Sequence, residues 1–306
     1  MRNFSATMLC VFVFSLMFAQ SVTAQKPVLV VKGAWGKEVN QLGINLPALG
    51  VMPIAPYNCI GGYDVDASGE IWLSDSINGQ LKLYKNKQWS YILLNYGKLG
   101  DLACFGKRIY VVTREPDGVA IINPETGKPE KHIRIEFKNP GRLTVISDKV
   151  LLVEEPGTGL WVCKDEKAAL HPAASLEAIG TGKRLFGVQF NLENDSRTVI
   201  SAELSDEVQE PETLGLYEAG EKILFCKMAG IVDEKPVIMT ITQSAPATIK
   251  FIKFGDNFGL EKQLELEVLD GPFLHTNWKL CSDGNLYGFA GNASEGFKIY
   301  RSEHHL

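Results

Sequence analysis

The chain has 306 residues, 45% of them hydrophobic and 22% charged, with a formal net charge of −5 at pH 7. A mildly acidic chain without a clustered basic run lacks the electrostatic footprint of a nucleic-acid binder or of a protein drawn to anionic lipid. Its 5 His are scattered and no Cys-x-x-Cys pair occurs, so no zinc cluster is visible and no metal or cofactor is expected.

Met1-Arg2 precedes an apolar run over residues 8–19, and Val22-Thr23-Ala24 supplies the small residues that signal peptidase needs. This pattern predicts a secretory signal peptide over residues 1–24, with cleavage before Gln25. The mature chain, residues 25–306, is then expected in the periplasm or outside the cell as a single domain. The apolar run is shorter than the roughly 20 residues that span a bilayer, and no longer one follows. Cys10 opens the run, the wrong place for a lipidated residue, and so leaves Cys59, Cys104, Cys163, Cys226 and Cys281 in the mature chain. An odd count leaves at least one thiol without a partner inside the chain. Their wide spread suits small buried hydrophobes, with a Cys59–Cys104 disulfide as the alternative.

Residues 27–31 are the first strand candidate, and residues 33–59, rich in Gly and Pro, read as a long loop. Residues 63–84 then set a pattern. Ile71-Trp72-Leu73 is a half-buried strand by composition. Ser68-Gly69 before it and Asn78-Gly79 after it are turn signals, and Leu81 to Tyr84 closes a hairpin. Apolar anchors matching Ile71 recur at Ile109, Val150, Val199, Val237 and Leu286, each just after a turn. A third strand follows each anchor, marked by Leu81, Val119, Leu160, Leu214, Ile249 and Phe297. Repeats near 40 to 45 residues with several strands apiece signal propeller blades rather than a β-sandwich. Six copies predict an all-β, six-bladed propeller. Residues 173–179 read as the outer strand of the third blade, and residues 203–212 as an acidic insertion in the fourth. The sixth copy ends with its third strand. The spare strand at residues 28–31 is therefore expected to complete it and close the ring.

The first copy, with Trp35-Gly36 ahead of Asp64-Val65-Asp66, Asp75, Asn78 and Leu81 to Tyr84, resembles the NHL repeat; Asp283-Gly284-Asn285-Leu286-Tyr287 is a partial second match. The chain is thus similar to six-bladed propellers of the NHL and TolB-like superfamily. That resemblance implies a fold rather than an activity. It also brings in the gluconolactonase-like hydrolases, whose acidic and amide residues surround one divalent cation. Their early Glu-Gly-Pro segment is absent here, and Cys59-Ile60-Gly61-Gly62 stands in its place.

Inner strands of a propeller converge on its axis. One aligned position in several copies, eight residues before the anchor, holds Tyr63, Asp101, Arg142 and Trp278. These residues, with neighbouring His275 and Asn277, are the candidate ligand surface at the channel mouth. Tyr63 and Trp278 offer flat apolar area with a polar tip, Arg142 a fork for a carboxylate, and Asp101 an acceptor. A mutual Asp101–Arg142 pair is the alternative. Asp75 with Asn78 is read as a turn cap. Glu154 and Glu155, adjacent on a strand, point to opposite faces and cannot share one substrate. No nucleophile elbow and no Gly-rich phosphate loop stands out. The reading is an exported, non-catalytic, monomeric propeller that binds a protein partner or a small ligand. A metal-dependent lactonase-like hydrolase is the alternative.

Overall fold

The computed structural model describes residues 24–44, 60–171, 179–180, 184–190, 197–203, 212–217, 222–242, 248–255, 259–267, 278–292, 295–303 and 306. Among them it contains strands and turns only, in six sheets. Strands β1 (Val28–Trp35) and β2 (Gln41–Leu42) come first in the chain but belong to the last blade. Blade one is β3 (Gly62–Val65), β4 (Ile71–Asp75), β5 (Gln80–Lys85) and β6 (Gln88–Leu93). Blade two is β7 (Lys98–Phe105), β8 (Arg108–Arg114), β9 (Gly118–Asn123) and β10 (Lys128–Arg134). Blade three is β11 (Leu143–Ser147), β12 (Val150–Glu155), β13 (Gly159–Lys164) and β14 (Lys167–His171). Blade four is β15 (Ile179–Gly180), β16 (Arg184–Phe190), β17 (Arg197–Glu203) and β18 (Glu212–Tyr217). Blade five is β19 (Ile223–Val232), β20 (Lys235–Thr242), β21 (Thr248–Phe254) and β22 (Leu260–Glu267). Blade six is β23 (Trp278–Leu280), β24 (Leu286–Asn292) and β25 (Gly296–Arg301), completed by β1 and edged by β2. The chain is a six-bladed β-propeller.

The ring closes as the spare N-terminal strand predicts. β1 runs antiparallel to β25, with Leu29 opposite Tyr300, Val31 opposite Ile299 and Gly33 opposite Phe297. That pairing removes the edge β25 would otherwise expose. Upstream of β1, Gln25 adds a parallel bridge to Leu266 of β22, tying the chain to blade five as well.

The second strands show why the anchors are apolar. All five residues of β4 are buried, not alternate ones. Each blade stacks on two neighbours, so both faces of an interior strand meet protein. Ile71 and Leu73 pack with Tyr287, Phe289 and Phe297 of blade six, whereas Trp72 packs with Leu102 and Ile109 of blade two. β8 repeats the division: Ile109 and Val111 face blade one, Tyr110 and Val112 face blade three. Of the anchors and their partners, Ile71, Leu73, Ile109, Val111, Leu152, Val199, Val237, Leu286 and Phe289 are buried. Val150 is only half-buried, because it sits beside the turn that joins β11 to β12.

Blade four departs from the expected register. Its sheet runs β15, β16, β17, β18, so Val199 lies on the third strand and Leu214 on the outer one. The second strand is β16, where Leu185 and Phe186 are buried. The acidic insertion therefore joins the third strand to the outer one. The outer strand of blade three is β14, and Ile179 belongs to the inner strand of blade four, not to blade three. Residues 172–178 lie outside the described residues. The physical reason for the slip is that apolar composition marks any strand buried between blades, and β17, a third strand, is as buried as the second strand β8.

Candidate functional site

Glycine brings the inner strands together around the axis. A Cβ on Gly61 would lie 2.3 Å from the carbonyl oxygens of Leu99 and Gly100, and one on Gly62 would lie 2.0 Å from Asp101 Oδ1. Only a residue without a Cβ lets β3 approach β7 this closely. Ser74 on β4 ties the same pair of blades, its hydroxyl donating to the Gly100 carbonyl at 2.6 Å.

At this end of the axis lies a cavity of about 600 Å3. Its wall includes Tyr63, Asp101, Arg142 and Trp278, so the aligned positions converge on one space. They do not all present themselves as expected. Tyr63 is buried, and its hydroxyl donates to the Tyr287 carbonyl at 2.8 Å. Burial, followed by the charges of Cys281, Asp101 and Asp64, holds its phenol well above the usual tyrosine range. Trp278 is fully buried, meeting Phe251 edge-on at 6.0 Å and lying over Gly288. Both rings sit in the contacts between blades, so neither is an open stacking platform. His275 and Asn277 lie outside the described residues.

Asp101 and Arg142 do not satisfy each other. Arg142 reaches across the axis from the start of β11 to β19 and donates to the Met228 and Ala229 carbonyls, both at 2.7 Å. Asp101 accepts from the Leu143 amide at 3.0 Å, and its other oxygen lies 3.7 Å from Lys279 Nζ. Lys279 also donates to the Leu102 carbonyl at 3.3 Å and stands over the Tyr63 ring. Burial alone lowers the Lys279 pKa, but Asp101 and then Asp64 outweigh it and raise it above the usual lysine range.

Three further cations line the cavity: Lys98, Arg114 and Lys227; the only further acid among the described lining residues is Glu154. The repeat contained a signal for Arg114. It ends the second strand of its blade, as Asp75 and Glu155 end theirs. All three clamp the backbone leading into a strand. Asp75 accepts from the Gly43 amide at 3.1 Å and from Asn78 Nδ2 at 2.7 Å, the expected turn cap with an added tether. Arg114 donates to the Phe137 and Lys138 carbonyls, and Glu155 accepts from the Lys138 and Asn139 amides and from Trp161 Nε1. Burial pushes the Glu155 carboxyl up, but the bonds from Trp161, Asn139 and Lys138 prevail and hold it below its usual value. Glu155 is buried away from the cavity that Glu154 lines, so the two acids do point apart.

Below this layer, Asp64 is 3% exposed and joins three blades. It accepts from the amides of Cys104 (2.8 Å) and Ser282 (3.1 Å) and from the Ser282 hydroxyl (2.8 Å). Cys104, Cys163 and Cys281 are buried free thiols, and Cys59 lies outside the described residues. Burial raises all three thiols, that of Cys163 to about 12. Among the described residues no three His, Cys, Asp or Glu side chains gather as a metal site.

No family model and no curated protein matches the sequence. Solved structures match the fold. A calcium-binding protein, regucalcin from Agrobacterium tumefaciens, is 12% identical with a TM-score of 0.53 over 79% of this chain and 89% of that one. The WD40 β-propeller domain of Doa1 is 9% identical with a TM-score of 0.52 over 80% of this chain and 79% of that one. A chain of the mitotic checkpoint complex is 11% identical with a TM-score of 0.52 over 94% of this chain and 98% of that one. At such identities the likeness is one of fold alone.

Proposed function

We propose that this chain is an exported, non-catalytic binding propeller that holds a small ligand in the axial cavity. The observation that carries the reading is the cavity itself. Its volume of about 600 Å3 is walled by side chains from five blades. That falls within the roughly 300 to 1,000 Å3 of small-molecule sites. A ligand there would meet donors already fixed by the fold, since Arg142 and Lys279 are held by backbone carbonyls. Preorganised groups lose little entropy on binding.

The hydrolase alternative needs a divalent cation held by six or more oxygens, or fewer with water completing the shell. Here two carboxylates face five cations among the described residues, and Asp101 is already bonded to an amide and close to Lys279. That donor set repels a cation. The proposed kinship with NHL-type propellers is supported by the Asp75 and Asn78 bonds of blade one.

The test uses the mature protein purified from an exporting host. Small molecules released on denaturation are identified by mass spectrometry and titrated back into wild type and Asn139→Trp, which puts a bulky ring at the rim of the cavity. Binding that is lost in the variant at unchanged melting temperature supports the reading. Equal binding by both proteins places the ligand elsewhere. Chelator-sensitive lactone hydrolysis would overturn it in favour of the enzyme.

A further inference from the structure

We infer that the ligand class of this cavity is a small polycarboxylate; the inference deepens the binding reading above and rests on it. The charge distribution points there first. Five cationic and two acidic side chains face the cavity among the described residues, an excess of three positive charges. The chain as a whole carries −5. Positive charge has therefore been concentrated at one concave place against the sign of the molecule. A cleft of one sign with low-dielectric walls focuses the field on a ligand of the other sign.

The partners of these cations sharpen the argument. Arg142 is oriented by two carbonyl groups, which fix a guanidinium without cancelling its charge. Arg114 is held in the same way by two carbonyls, though Asp117 at 3.5 Å offsets part of its charge. Lys279 is balanced by Asp101. Discounting Arg114 altogether still leaves a positive excess. One carboxylate would not neutralise it, and a ligand with two or three would.

The backbone argues against a phosphate. Phosphate cradles are built from free amide N–H groups in Gly-rich turns. Two of the cavity glycines have spent theirs: Gly61 donates to the Ser74 carbonyl and Gly141 to that of Glu154, at 2.9 and 2.7 Å. The ammonium and guanidinium side chains that line the cavity bind carboxylates through charge-assisted hydrogen bonds.

The probes are citrate, succinate, acetate, inorganic phosphate and glucose, titrated by calorimetry at low and high ionic strength. Citrate is expected to bind at least about tenfold more tightly than acetate or phosphate, and to weaken as salt rises. Lys227→Gln should weaken citrate about tenfold, the effect of losing one charged contact. Asp101→Asn keeps an acceptor for the Leu143 amide but removes a negative charge, and should tighten citrate several-fold. A structural role for Asp101 would not produce a gain. Tighter binding of phosphate than of citrate overturns the carboxylate assignment. Binding of glucose with citrate silent overturns the inference but leaves the cavity as a ligand site. Citrate affinity unmoved by either variant places the anion on the outer surface and overturns it too. Silence of every probe, with no small molecule released from the purified protein, overturns both readings.

Discussion

Asp64→Ala should destabilise the propeller far more than an aspartate at a turn normally would. The carboxylate is buried and bonds to blades two and six from its place in blade one. Alanine would leave the buried Cys104 and Val65 amides without this acceptor, whereas the amide of the exposed Ser282 can turn to water. Each orphaned buried donor costs about 1–3 kcal/mol, so the expected loss is about 2–6 kcal/mol. The Ser282 hydroxyl retains the Cys104 carbonyl as a partner at 2.7 Å and adds little to that figure. Urea unfolding followed by tryptophan fluorescence reads the loss as a lower midpoint at unchanged slope. Ser282→Ala alone should cost about 1 kcal/mol, and the double variant should fall short of the sum because the two residues share bonds. A loss below about 1 kcal/mol for Asp64→Ala would refute the reasoning, since it would mean that water or another acceptor serves both amides.

Ile109→Ala should lower stability by about 2–5 kcal/mol, because Ile109 is a filled position between blades one and two; a midpoint shift equivalent to less than about half a kcal/mol would contradict that packing. His132 stacks on Tyr96 and bonds to Thr113 Oγ1, and burial lowers its pKa below the ordinary histidine value; His171 shifts the same way for the same reason. The unfolded chain therefore takes up these protons first, so stability should fall as pH drops through about 6.5, and His132→Gln should flatten that slope in urea midpoints measured across pH. Cys104, Cys163 and Cys281 should resist alkylation in the native protein and react on unfolding, as peptide mass spectrometry of trapped thiols would show; fast native labelling at Cys163 would contradict its raised pKa. The mature N-terminus should be Gln25; an intact Met1 in the exported fraction would refute cleavage, and retention of the whole chain in the cytoplasm would remove the export reading.

The sequence by itself determined the architecture. Turn, apolar strand, turn and strand recur six times because every blade solves the same problem, a sheet that must bury both faces between neighbours. The spare strand before the first copy and the incomplete last copy were enough to foresee the closure by β1. Sequence also placed Tyr63, Asp101, Arg142 and Trp278 at one register, and all four do reach the axial cavity. What it did not contain was the direction each side chain takes. Whether an aromatic ring at that register opens to solvent depends on the twist and spacing of the adjacent blades, which contacts distant in sequence set: Tyr63 with Tyr287, Trp278 with Phe251. The partners of Arg142 are carbonyls some 86 residues away, and a carbonyl leaves no mark in an amino-acid sequence. Blade four slipped for a related reason, since third strands are as apolar as second ones and only pairing tells them apart. The positive cavity is likewise a product of the fold. Lys98, Arg114, Lys227 and Lys279 look like ordinary surface charges in sequence, and closure of the ring brings them around one space with Arg142.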